Sequence, residues 1–192
     1  MGCSTSPAGW AIAALVTIGL GCASSRIPQT IDETPAGRID PLPAGTDRVV
    51  SSDGSFSIGI VGRAGKGPGS ALGHEKAEFG LVLPDEDIGL VAYRYSGAQT
   101  SIDDVVHHRR TLVRSAGLLH FVSEERFFLS TGRYRAASLC AWEGDGRRAS
   151  RYAYSLIADT PGGAVEILAW TRDARGRDAL RAAVLRFRLE VE

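Results

Sequence analysis

Three strand-length runs dominate the second half of the chain: Arg133 to Glu143, Arg148 to Ala158 and Ala164 to Arg172. Only Gly144 to Arg147, with the turn Gly144-Asp145-Gly146, separates the first pair of runs, and only Asp159 to Gly163, with the turn Pro161-Gly162-Gly163, separates the second. A parallel return needs a crossover of about a dozen residues or more, so connections this short join antiparallel neighbours. The fold must therefore be built around an antiparallel meander, which reads as its mechanical centre.

The rest of the chain supplies elements to cover that meander. VVSSDGSFSIGIV splits into two strand-like pieces around Asp53-Gly54, a hairpin dipeptide, with Phe56, Ile58 and Ile60 on one face. Gly62 to Gly73 reads as a mobile, glycine-rich surface loop. It does not match the phosphate-cradling pattern: Lys66 is followed by Gly67 rather than Ser or Thr, and no helix follows. Ala77 to Leu83 and Ile88 to Tyr95 read as strands around Pro84-Asp85-Glu86-Asp87. Ser101 and Asp104 form a capping-box-like start for a helix ending before Gly117. Its expected buried face holds Ile102, Val105, Val106, Leu112, Val113 and Ala116. Arg109, Arg110 and Arg114 complement its dipole. Leu118 to Leu129 reads as a strand pair or one bent strand, and Ala174 to Val184 as a closing helix with Leu180, Ala183 and Val184 inward. The fold class is α+β: an antiparallel β-sheet flanked by helices.

Ahead of this body lies a different kind of sequence. Ala8 to Ala23 contains no charged residue, and Trp10 to Cys22 reads WAIAALVTIGLGC. The run is shorter than the roughly 20 apolar residues that span a bilayer and matches a signal-peptide core. Its small residues Gly19 and Gly21 lead into Cys22, and this end resembles the lipobox of bacterial lipoprotein precursors. The resemblance implies lipidation of Cys22, removal of a signal peptide over residues 1–21, and membrane attachment through that lipid. Met1 to Ser6 also fits the N-myristoylation pattern, with Cys3 a palmitoylation candidate. Residues 22–47 carry Pro28, Pro35, Pro41 and Pro43 with no helical or strand period, and read as a disordered, Pro-rich tether. Residues 48–192 are then a single α+β domain.

The domain's order of hairpin, strands, helix, meander and terminal helix, with SSDGSFSIGIV at its start and GGAVEILAWTRDARGRDALRAAVLRFRL at its end, resembles the PsbP/DcrB-like fold. That resemblance implies an antiparallel sheet flanked by helices and non-enzymatic roles in envelopes or in complex assembly. In lipoproteins of enteric bacteria an Asp after the lipidated cysteine is associated with the inner membrane. Ala23 stands there, which leans toward the periplasmic face of the outer membrane.

The chain carries 22 basic and 22 acidic residues, so its net charge is zero, and no basic block points to nucleic acid or to a polybasic membrane patch. Beyond Cys3 and Cys22 only Cys140 remains, inside a strand between Leu139 and Ala141, so the domain is expected to hold no disulfide and Cys140 to be a core residue. Asp103 and His107 share a helical face, but no third ligand stands at a metal-site spacing, and no G-x-S-x-G elbow is present. No catalytic residue, metal or cofactor is therefore expected. Arginines and aromatics gather on the meander, and Arg148, Arg151, Tyr152, Tyr154 and Trp170 are the expected partner contacts. The function expected is a lipid-anchored cell-envelope protein in a partner-binding or accessory role. The alternatives are an envelope hydrolase or metal-dependent enzyme using the 101–116 helix, and a carrier of a small apolar ligand.

Overall fold

A computed structural model describes residues 38–96, 100–116, 119–131, 133–145, 150–160, 162–173 and 175–190. Cys22, the segment expected as a signal peptide, most of the expected tether, and Arg148 lie outside the described residues.

Nine of the strands are β1 (Asp40–Pro41), β2 (Arg48–Val50), β3 (Phe56–Gly59), β4 (Gly65–Gly67), β5 (Phe79–Leu83), β6 (Ile88–Ser96), β7 (Leu119–Thr131), β8 (Arg133–Gly144) and β9 (Tyr152–Thr160). They are joined by β10 (Gly163–Thr171) and β11 (Phe187–Leu189), and the helices are α1 (Ile102–Ala116) and α2 (Arg177–Leu185). Among the described residues eight strands form one sheet in the order β1-β4-β5-β6-β10-β9-β8-β7, and β11-β3-β2 form a second. The strand pairs are antiparallel. The α+β expectation holds, and the meander is intact as β8-β9-β10.

The large sheet is covered on both faces, and its side-chain alternation sorts the core into two layers. On β10, Val165, Ile167 and Ala169 face one way, toward α2 and the small sheet. There they join Leu180, Ala183 and Val184 of α2 with Phe56, Ile58 and Phe187 of the small sheet. Ala164, Leu168 and Trp170 face the other way and meet Ile102, Val105 and Val106 of α1. Helix α1 begins as its cap chemistry requires: Ser101 N and Oγ donate to Asp104 Oδ2 at 3.0 and 2.7 Å, while Asp104 N donates back to Ser101 Oγ at 3.2 Å.

Three expectations change. The glycine-rich stretch is structured: Gly65–Gly67 is strand β4, and Gly69–Leu72 forms a 3-10 turn whose Leu72 packs into the α1-side core. The reason is close approach. A Cβ on Gly67 would lie 2.5 Å from Arg38 O, so the missing side chain admits the incoming chain. Correspondingly, Asp40 and Pro41 lie inside the segment expected as tether yet pair with Lys66 and Gly65, and Leu42 N donates to Ala64 O at 2.8 Å. On α1, Leu112 is exposed rather than buried, and Arg109 takes the inward place.

Gly89 on β6 stands opposite Trp170 on β10, and a Cβ there would lie 2.6 Å from the Trp170 ring. The indole lies flat across the glycine, filling the space a side chain would occupy. Gly89→Ala should destabilise the fold by about 1–3 kcal/mol through this overpacking. Urea unfolding followed by tryptophan fluorescence measures it, with an unchanged midpoint as the contrary result.

Candidate functional site

Glu166 is the sole charged residue in the otherwise apolar run of β10 and has zero exposure. It lies on the α1 side of the sheet. An isolated carboxylate there would cost several kcal/mol, so partners must come from the elements around it. Arg109, from the inward face of α1, donates through Nε to Oε1 at 2.8 Å and through Nη2 to Oε2. Tyr95 of β6 donates its hydroxyl to Oε2 at 2.7 Å, and Ser155 of β9 donates to Oε1. Burial pushes the Glu166 carboxyl up, but the Arg109 charge and these donors more than offset it, and the net shift is downward. The Arg109 guanidinium is driven up by Glu166 against its own desolvation. The pair stays ionised.

The cluster extends outward. The Arg109 guanidinium lies over the Tyr93 ring at 5.1 Å. Tyr93 Oη is hydrogen-bonded to His74 Nδ1, and the His74 ring packs on Trp170 with centroids 5.0 Å apart. Burial lowers the His74 pKa to about 4, with the Arg109 charge adding to the effect. Burial also raises both phenols, Tyr93 and Tyr95. At neutral pH the imidazole and phenols are uncharged, and each Glu166 oxygen already accepts two hydrogen bonds. A saturated carboxylate of this kind orients α1 on the sheet and has no lone pair directed at a reacting group.

A second charged set runs along β7. Arg110 Nη2 donates to Glu124 Oε2 at 2.9 Å and its guanidinium lies over Phe121 at 3.8 Å. Ser138 donates to Glu124 Oε1 at 2.8 Å, and Arg126 bridges Glu124 and Asp103. Asp103 therefore pairs with Arg126 rather than sharing a ligand with His107, and no group of three or more metal-ligating side chains occurs among the described residues. Cys140 is buried, and burial pushes its thiol up to about 11.

The expected contact residues do not share one surface. Tyr154 is 5% exposed and faces the α2-side core, whereas Trp170 is 4% exposed and faces the α1-side core. The sheet separates them. Arg151 is exposed and Tyr152 half-buried. The Tyr152 ring has the Arg151 guanidinium at 6.0 Å and that of Arg177 at 5.9 Å, while Arg177 Nε donates to Tyr154 Oη at 3.3 Å. Beside this group Val122, Glu143, Tyr152 and Arg177 border a crevice with no room for even a water molecule. Small-molecule sites enclose roughly 300–1,000 Å³, so this crevice is not one of them, and what the group offers is its exposed surface.

Arg177 was not among the expected contacts, because α2 returns it to the meander from a distance the sequence does not display. Glu166, Arg109, Ser155, Tyr93, Tyr95 and His74 were also missed as a cluster. Two signals were present. A charge inside AVEILAW is anomalous for a buried strand, and Arg109 falls at helical spacing in the stripe Ile102, Val106, Arg109, Val113.

No protein-family model, curated protein or solved structure matches this chain.

Arg109→Met should cost about 3–5 kcal/mol by leaving Glu166 buried and uncompensated, while Arg109→Met combined with Glu166→Leu should be more stable than the single variant. Chemical denaturation of both, with a double variant no better than the single as the contrary result, decides this. His74 gives a pH signature. The unfolded imidazole binds a proton below about 6.5, while the folded one resists until about 4. Its contribution is complete above pH 6.5 and is lost as pH falls through that window, by on the order of 3 kcal/mol at most. His74→Asn should flatten the stability slope between pH 5 and 6.5; an unaltered slope would contradict this assignment.

Proposed function

We propose that this chain is a lipid-anchored cell-envelope protein, non-catalytic, whose folded body recognises a protein partner. The anchor rests on the apolar run ending in Gly21-Cys22, which supports acylation of Cys22 and a mature chain tethered to the membrane. Ala23 favours the periplasmic face of the outer membrane. The body, an antiparallel sheet with a helix on each face, supports assignment to the PsbP/DcrB-like fold, with the accessory roles that resemblance implies.

The observation that carries the partner-binding reading is the Tyr152 ring with the Arg151 and Arg177 guanidiniums 6.0 and 5.9 Å from its centroid, beside the exposed side chain of Val122. Arginine and tyrosine are among the residue types that concentrate binding energy at protein interfaces. The guanidinium groups favour a partner that presents a carboxylate next to an apolar side chain. The interior polar cluster serves this surface indirectly by holding the sheet and its helix in register.

Two measurements test the proposal. Mass spectrometry of the N-terminal peptide should find an acylated cysteine at position 22 and no residues 1–21; a retained leader contradicts the anchor. A photo-crosslinker placed at Val122 should give a discrete adduct in intact envelopes, reduced at least tenfold by Arg151→Glu with Arg177→Glu. An adduct of equal yield in that variant, with folding preserved by circular dichroism, rules out this surface.

A further inference from the structure

We infer that the outer edge of β7 pairs antiparallel with the same edge of a second copy of this chain, on a two-fold axis through Glu125. The inference is independent of the lipid anchor, and it touches the Arg151–Tyr152 surface only at Val122. The two ends of the large sheet are treated very differently. At one end β1 is two residues long, contains Pro41 and carries an Asp40–Arg38 ion pair, all features that block further strand addition. At the other end β7 runs 13 residues, and among the described residues no strand lies on its outer side. Phe121 and Val122 are exposed on it, and Phe128 is 70% exposed.

The charges that would normally blunt such an edge are engaged across the faces of the sheet. Glu124 is held by Arg110, Arg126 and Ser138, and Glu125 by Arg181 of α2 at 2.7 Å. The order of residues along the edge is also self-complementary. Residues directly opposite each other in an antiparallel pair share a face, so a self-pairing must be centred on a residue. Centred on Glu125, Glu124 stands opposite Arg126 of the other copy, and Ser123 opposite Phe127. Glu124 and Arg126 both lie on the α1 side, opposite Cys140 and Ser138 of β8.

The register shift between Phe121 and Ser123 then matters. Val122 is the extra residue, so Phe121 lies opposite Trp142 on the α1 side, the same side as Phe128 opposite Ala136. Passing over Val122, the next pair after Ser123 and Phe127 is Phe121 with Phe128. Both are exposed aromatic rings, and the two-fold axis forms that pair twice. The one like-charge meeting, Glu125 with its own copy, is bracketed by an Arg181 from each chain. Each copy thus supplies opposite charge to opposite charge and ring to ring, as an isologous interface requires.

The test uses the full chain in mild detergent with Cys3, Cys22 and Cys140 replaced, so that its outcome is independent of acylation. Three single-cysteine proteins are made, Glu125→Cys, Phe121→Cys and Phe128→Cys, and treated with a short bismaleimide. Glu125→Cys should cross-link to itself. Phe121→Cys and Phe128→Cys should each stay uncross-linked alone and cross-link when mixed. Light scattering of the cysteine-free chain should give twice the monomer mass, and Phe128→Glu in that chain should raise the dimer dissociation constant at least tenfold with its circular dichroism unchanged. A monomer by light scattering, or equal cross-linking of all three proteins alone, would overturn the proposal.

Discussion

A carboxylate with no exposure sits in the middle of the sheet, and the α1 side of the molecule is arranged to make that tolerable. Glu166 takes its compensation from three elements: Arg109 on α1, Tyr95 on β6 and Ser155 on β9. The consequence is positional. A helix held by apolar contacts alone can slide or rotate at small cost, whereas two parallel charge-assisted hydrogen bonds to one carboxylate fix both its depth and its rotation. Arg110 and Asp103 then tie the same helix to β7 through Glu124 and Arg126. The helix and the edge strand are consequently positioned by one set of charges.

The other face is built differently. Phe56 packs on Phe79 and Phe187 at centroid distances of 6.0 and 5.7 Å, and α2 adds Leu180, Ala183 and Val184. The chain's C-terminal strand β11 closes on β3, joining the first hairpin to the last element. One face thus depends on area removed from water, the other adds the Glu166 cluster to an apolar layer of its own, and the meander β8-β9-β10 supplies residues to both.

Much of this fold was legible before any coordinates. The meander, the Asp53-Gly54 hairpin, the Ser101 cap and the inward triplet of α2 each follow from local chemistry: short turns, side-chain oxygens near free amides, and periodicity. The glycine-rich stretch was misjudged because glycine's local meaning is ambiguous. Freedom to move and room for a close neighbour look identical in sequence, and Gly67 and Gly89 are here for the second reason. Arg109 was assigned only to the helix dipole because arginine is seldom buried, and its partner lies 57 residues away. Tyr154 and Trp170 were grouped with Tyr152 by proximity along the meander, but alternation and strand register send them to opposite cores. Long-range pairings of this kind carry no local mark.

The interior cluster, the tyrosine beside Arg151 and Arg177, and the bare edge of β7 give one sheet a structural, a recognition and a self-association role, the last two adjoining at Val122. All three presuppose that α1 and the sheet hold one fixed relation, which rests on Glu166 remaining charged. A carbon-13 titration of the Glu166 side-chain carboxyl tests that most directly. The account predicts the chemical shift of an ionised carboxylate from neutral pH down to pH 4.5. A signal from protonated carboxylic acid at neutral pH, or a midpoint above the ordinary glutamate value, would contradict it.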